Sequence, residues 1–206
     1  MANGVIITIA RQYGSGGQEI GTRLGELLGI KVYDNELLTM AAEKKGLPEE
    51  YLRSVDERAT GSLLYSIAMG SPYVHGIYAG TQMSINDRLF LVQAEIIREI
   101  AAQESAIFVG RCADYVLRNQ PNCINVFLYA NEKDRIARIC GRTGCTVNEA
   151  ESAMQKNDKR RANYYNYHTG GRWGKADHYD LVLNSSLLGV EGTAKLIAEA
   201  VRMLGE

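Results

Sequence analysis

The chain has 206 residues, 46% of them hydrophobic, which suits one α/β domain with a sizeable core and room for an inserted subdomain. Its 23 Lys and Arg against 24 Asp and Glu leave a formal charge of -1, which argues against a nucleic-acid polymer or a membrane surface as partner. No apolar run approaches a membrane span, and no basic segment leads into an apolar stretch near the start, so a soluble, cytoplasmic protein is expected.

In chain order, Val5-Ile6-Ile7-Thr8-Ile9 is the first predicted strand, and a helix follows over 17–28, with Ile20, Leu24, Leu27 and Leu28 on its apolar side. Lys31–Tyr33 is a short second strand. Residues 47–85, with Gly61, Gly70, Gly76, Gly80 and Tyr51, Tyr65, Tyr73, Tyr78, hold helical pieces at 48–58 and 61–69 but no strand to extend a sheet. This stretch reads as a helical insertion, either a cover for an acceptor at the sheet's carboxyl edge or a structural excursion or oligomer contact. A helix over 87–103 places Leu89, Val92, Ile96 and Ile100 on one face, with Asp87 in its first turn. Ala106–Val109 and Ile124–Tyr129 are the third and fourth strands. Helices follow over 131–139, opening at Asn131, and over 146–165, opening at Thr146. Leu181–Leu183 is the fifth strand, and 189–204 the last helix. The strands are apolar on consecutive positions, as in a parallel sheet buried on both faces. Their alternation with helices predicts an α/β three-layer fold, a parallel five-stranded sheet with helices on both faces.

The four cysteines, Cys112, Cys123, Cys140 and Cys145, form no C-x-x-C pair and lie far in sequence from the histidines, so reduced thiols are expected rather than a zinc site.

The chemistry-bearing stretch is Ala10-Arg11-Gln12-Tyr13-Gly14-Ser15-Gly16-Gly17-Gln18-Glu19-Ile20-Gly21, between the first strand and the first helix. Glycines let a phosphate approach the backbone, and the helix start presents free N–H groups and a positive dipole end. Against the pattern G-x-x-x-x-G-K-[ST], Gly16 matches the second glycine, while Arg11 stands at the first, Gly17 at the Lys position and Gln18 at the Ser/Thr position. The cradle residues Gly14, Ser15, Gly16, Gly17, Gln18 and Glu19 are retained as a phosphate site, with Arg11 as substitute cation. The alternative is a tight strand-to-helix turn and nothing more.

These pieces resemble a family. A-R-Q-Y-G-S-G-G-Q-E-I-G, L-L-G-I-K-V-Y-D, F-V-G-R, N-V-F-L-Y-A-N-E-K-D-R-I-A-R, D-K-R-R-A-N-Y-Y and Y-D-L-V-L-N-S occur in this order across nearly the whole chain. The set is similar to the cytidylate kinase-like proteins, relatives of the bacterial cytidylate kinases. The resemblance implies a P-loop kinase core of one domain over 1–206, with 47–85 on the acceptor side and a lid-like region at 140–178. It also implies phosphoryl transfer from ATP with Mg²⁺ to CMP or dCMP.

The charge that phosphoryl transfer must neutralise makes Arg11, Arg138, Arg142 and Arg161 the candidate catalytic residues. Carried over residue by residue, the resemblance makes Asp34, Arg111, Asp158 and Arg161 substrate-binding. It also shows departures: Asn35, Met40 and Cys112 stand where the kinases carry nucleotide-reading residues, and Val109 where an acidic metal anchor is expected. No metal ligands are assigned. Arg135 and Arg138 are lid-proximal or solvated helix charges, and Arg161 is a phosphate ligand or a complement to a helix dipole. Tyr164, Tyr165 and Tyr167 stack on a base or pack in the core, and Trp173 closes a lid or anchors its loop. Three functions fit: a kinase for a small phosphorylated acceptor, a nucleotide-binding sensor or scaffold without transferase activity, and a structural protein that keeps the fold alone. The oligomeric state stays open, a homodimer included.

Overall fold

The structure is a computed structural model that describes residues 4–34 and 85–204. The expected insertion at 47–85 and the positions Asn35 and Met40 therefore lie outside the described residues, apart from Ile85 at its edge. The chain divides into two compact units, Met1–Asp34 with Ile97–Glu206, and Asn35–Ile96. In the second unit the described residues are the opening turns of one helix.

The strands are β1 (Ile6–Arg11), β2 (Lys31–Tyr33), β3 (Ala106–Val109), β4 (Cys123–Tyr129) and β5 (Leu181–Asn184). They form one five-stranded sheet in the order β2-β3-β1-β4-β5, and every pairing is parallel. β1 is central: Ile6 sits opposite Ala106 on one side and Cys123 on the other. That position explains why it is apolar at Ile6, Ile7, Ile9 and Ala10, because both of its faces are covered. Ile7, Ile9, Val126 and Leu128 face a core completed by Ile20, Leu24, Ala194 and Ile197. Ala10 and Phe127 point to the opposite side, where Tyr179 and Trp173 pack on them, as the two-residue strand period requires. Thr8 is the polar exception in β1, buried with its hydroxyl donating to Asn125 Oδ1 at 2.7 Å.

Helix α1 (Gly17–Leu28) presses unusually close to the sheet. A Cβ at Gly25 would stand 2.5 Å from Val32 Cγ2 and 2.8 Å from the Ile30 carbonyl, so the turn into β2 needs a glycine there. Helix α2 (Ile85–Gln103) buries Leu89, Gln93, Ile96, Ile97 and Ile100, while Val92 is half-buried, a slightly rotated version of the predicted face. Helix α3 (Ala113–Val116) is a single turn with no periodicity to announce it. Helix α4 (Glu132–Thr143) and helix α5 (Val147–Thr169) each run four residues beyond their predicted ends. α5 opens with a capping box, Thr146 with Glu149, which satisfies two amides that would otherwise lack partners.

Helix α6 (Ser185–Leu204) starts four residues before its predicted N-terminus, because it is broken at Gly189 (φ 64°, ψ −171°). The turn before β5 is set by Asp180, whose carboxylate accepts from the Asn125 amide at 2.7 Å while its own amide donates to the Asn125 carbonyl at 2.8 Å. Among the described residues no helix is long and apolar enough to cross a membrane.

Candidate active site

β1 ends where its neighbours diverge, β3 to one side and β4 to the other, the place where parallel sheets open a crevice. The loop that leaves it carries Gly14 at φ 79° and Gly16 at φ 82°, left-handed conformations that side chains disfavour. Gly16 is the N-cap of α1, and among the described residues no side chain caps the helix. The first amide of α1 with a backbone acceptor is Ile20, bonded to the Gly16 carbonyl at 2.9 Å. Among the described residues, nothing accepts from the amides of Gly17, Gln18 and Glu19. These groups and the helix dipole make a site for an anion. Ser15 takes no part with its side chain: it is fully buried, and its hydroxyl donates to the Gln12 carbonyl at 2.9 Å. Its carbonyl accepts from Ser185 Oγ at 2.6 Å, which ties the loop to the start of α6.

Arginines from α4 and α5 surround this loop and bond its carbonyls. Arg161 Nη1 donates to the Arg11 carbonyl at 2.8 Å, Arg135 Nε to that of Tyr13 at 2.7 Å, and Arg138 Nη1 to that of Gly14 at 2.5 Å. Peptide planarity then turns the Gly14 amide away from the Arg135 side. Arg142 Nη2 donates to the Tyr13 hydroxyl at 2.9 Å. Asp158 uses both oxygens here, accepting from the Tyr13 amide at 2.7 Å and pairing with Arg135, which is buried. Burial, followed by repulsion from Arg11, pulls Arg161 down to about 9. It stays charged at neutral pH, and a polyanion would relieve the repulsion.

Arg11 extends toward β3 and β2 rather than along α1. A Cβ at Gly17 would stand 2.7 Å from Arg11 Cγ, and a Cβ at Gly110 would run into Arg11 Nη1. Its guanidinium lies 3.6 Å from Asp34, just after β2. The two residues therefore join the phosphate-loop side of the crevice to the ends of β2 and β3.

A second strand-to-helix corner follows β3. Gly110, Arg111 and Cys112 have φ values of 82°, 58° and 53°, three successive left-handed residues of which two carry side chains. Each non-glycine residue there costs about 1–2 kcal/mol. The corner holds Arg111 at the carboxyl edge of the sheet. Behind it lies a group whose members are scattered in the sequence and meet only in the fold. Asp114 is buried, and burial pushes its carboxyl up despite the Tyr165 hydroxyl, the Tyr115 amide and nearby His178. Burial, then Asp114, also pushes Cys112 up, leaving an inert thiol. Tyr179 is buried beside them with no partner for its hydroxyl among the described residues. The one legible sign was an Asp three residues beyond the Gly-Arg pair.

The aromatic alternatives separate. Tyr165 is core, Tyr167 is 71% exposed, and Trp173 anchors its loop edge-on against Phe127 at 5.4 Å. Of the predicted site residues, Gly14–Glu19, Arg138, Arg142, Asp158 and Arg161 converge on one loop, and Arg11 and Asp34 pair beside it. Among the described residues no group of three or more His, Cys, Asp or Glu could hold a metal ion.

The sequence profile of the cytidylate kinase-like family matches residues 6–187. The chain is 24% identical over 204 residues to a cytidylate kinase of Archaeoglobus fulgidus, covering 96% of this chain and 94% of that protein. It is 26% identical over 211 residues to a cytidylate kinase of Methanopyrus kandleri, covering 98% and 95%. Among solved structures, an uncharacterized protein from Eubacterium ventriosum superposes with a TM-score of 0.71 at 26% identity, over 96% of this chain and 98% of that one. Shikimate kinase from Bacteroides thetaiotaomicron, at TM-score 0.50 and 14% identity over 97% of each chain, shares the fold. With the sheet order and the glycine loop at its central strand, these matches settle the assignment: the chain is a P-loop kinase-type α/β protein and belongs to the cytidylate kinase-like family.

Proposed function

We propose that the chain transfers the γ-phosphoryl group of ATP to a small phosphorylated acceptor, a nucleoside monophosphate such as CMP or dCMP, working as one kinase-like domain in the cytoplasm. The observation that carries this reading is the start of α1, with left-handed Gly16 and, among the described residues, no cap and no partner for the amides of Gly17, Gln18 and Glu19, inside a collar of guanidinium groups. A Cβ at Gly17 would crowd Arg11, so the close approach of Arg11 to the start of α1 needs a glycine there. This reading assigns Arg111 and Asp34, at the ends of β3 and β2, to an acceptor in line with a donor held on that loop. Arg138 and Arg161 act by fixing the loop's carbonyls, so the donor is held mainly by backbone N–H groups. Asp158 is then a positioning residue for the loop, a different role from the sugar contact that the family resemblance implies. The described residues offer no cluster for Mg²⁺, and no step is derived through it.

A second reading has its own support. Gly17 and Gln18 stand where a P-loop carries Lys and Ser/Thr, which favours a nucleotide-binding protein without turnover.

The deciding experiment pairs a melting-shift screen with a transfer assay over CMP, dCMP, UMP, AMP and GMP, with and without Mg²⁺. Binding at a hundredfold excess over Kd stabilises by about 2.7 kcal/mol. Stabilisation by ATP with transfer to a cytidine monophosphate supports the proposal. Stabilisation without transfer to any acceptor leaves the second reading, and no stabilisation by any nucleotide overturns both.

A further inference from the structure

Cys140 and Cys145 play no part in the site, and the chain's geometry brings them together. α4 ends at Gly144, left-handed at φ 71°, whose amide donates to the Cys140 carbonyl at 2.8 Å. Such a glycine reverses the chain, so the residue after it returns over the last helical turn. Cys145 is that residue, and Cys140 is on that turn. Both half-buried thiols pack against the same cluster of Ile139, Ala150 and Met154, where α4 meets α5. The Cys145 side chain lies close enough to that of Cys140 to disfavour its thiolate. On its other side Cys140 lines an open apolar groove with Ile136, Ala137 and Val147, so small reagents can reach it.

We propose that Cys140 and Cys145 are a redox modification site and close into a reversible intramolecular disulfide at the α4–α5 corner. The alternative is an apolar contact that finishes a helix and nothing more. The oxidant is a low-molecular-weight disulfide such as oxidised glutathione. The Cys140 thiolate attacks one of its sulfurs and expels one glutathione thiolate. The Cys145 thiolate then attacks Cys140 Sγ of the mixed disulfide and expels the second. The protein gives up two electrons and two protons, and two molecules of reduced glutathione carry them away.

Burial first, and the neighbouring thiol second, raise Cys140 above the ordinary cysteine range. Its thiolate is therefore scarce at neutral pH, and exchange speeds up as pH rises. A Cys140 thiol that ionises reluctantly also leaves the reduced form without thiolate stabilisation there, which favours the closed form at equilibrium. The ring encloses Gly141, Arg142, Thr143 and Gly144, and Arg142 bonds the Tyr13 hydroxyl of the phosphate loop. Oxidation therefore acts on the helix end that touches the site.

The test uses the full chain in buffers of graded oxidised-to-reduced glutathione, alkylation of the remaining thiols, and trypsin. Arg138, Arg142 and Lys156 direct cleavage, so Cys140 and Cys145 fall in the separate peptides 139–142 and 143–156. The expected product is these two peptides joined, two hydrogens lighter than their sum and parted by dithiothreitol. In Cys145→Ser the join disappears, and a glutathione adduct persists on Cys140. Both thiols alkylated at the most oxidising ratio would overturn the proposal, and so would an unresolved Cys140 adduct in the wild type. A circular-dichroism melt in the same buffer shows whether the reacting chain is folded. Linkage only after the fold is lost, or through Cys112 or Cys123 instead, also counts against it.

Discussion

Two corners of the sheet solve similar steric problems in opposite ways. After β1, glycines supply the left-handed conformations and α1 continues for 12 residues with its first amides unpartnered among the described residues. After β3, Arg111 and Cys112 are themselves forced left-handed and α3 lasts only four residues. The first corner presents backbone at little conformational cost, so it suits a ligand recognised by shape and charge. The second spends strain to fix one side chain at the sheet's edge. Strain of this kind persists only where surrounding structure holds it, here the Gly110 amide on the Ile9 carbonyl at 2.9 Å and the Ala113 amide on the Gly110 carbonyl at 3.1 Å.

Four substitutions break or sharpen that contrast. The largest effect is expected from Asp158→Ala, which strands the Tyr13 amide and leaves the buried Arg135 guanidinium unpaired. The cost is about 3 kcal/mol, read as a fall in Tm of roughly 6–12 °C. The shift induced by ATP should shrink while that induced by a monophosphate survives; equal loss of both would mean that the corners are one unit.

Gly16→Ala comes next. Its φ of 82° penalises a side chain, and the new Cβ would stand 3.3 Å from Arg138 Cζ. About 1–2 kcal/mol of stability should go, with the ATP shift abolished. An ATP shift that persists would remove the backbone cradle from the site.

A smaller effect is expected from Asp114→Asn, behind the second corner. A carboxyl raised by burial stabilises the fold below its ordinary value of 3.8, and that contribution is lost as pH rises through the raised one. The variant should therefore melt higher than wild type at pH 7, with the gap closing toward pH 4. Parallel Tm profiles at all pH values would show that the carboxyl is not held in an unfavourable state.

Arg111→Gly should change stability least, because relief of left-handed strain is offset by glycine's extra freedom in the unfolded chain. Monophosphate-induced melting shifts should vanish with Tm within about 2 °C of wild type. If they remain, the strain at Arg111 serves something other than an acceptor phosphate.

Periodic features were legible in the sequence, and single long-range contacts were not. All five strands fall where apolar runs indicated, and α1 matches its predicted bounds, because burial on a sheet writes itself into consecutive residues. The helix at 185–204 was read four residues late, since Gly189 looks like a boundary and is instead a break within the element. Arg138 was legible as a lid-proximal arginine and Arg161 as a phosphate ligand, but nothing local says that both bond carbonyls of the glycine loop and the strand end before it. Asp158 gives no sign, 145 residues away, that it will cap the Tyr13 amide. The burial of Asp114 among Cys112, Tyr165 and Tyr179 was not legible, because the two tyrosines are far from it in the chain and a buried acid has the same letter as an exposed one.

The central place of β1 has a consequence for synthesis. Its hydrogen-bonding neighbours are Ala106–Val109 and Cys123–Tyr129, so the first strand to leave the ribosome is paired only after both have emerged. At about 5–20 residues per second the interval is on the order of 5–20 s. Throughout it Ile6–Arg11 is an apolar ribbon with two open edges, and a nascent chain stalled before residue 106 is the form of this protein most exposed to aggregation.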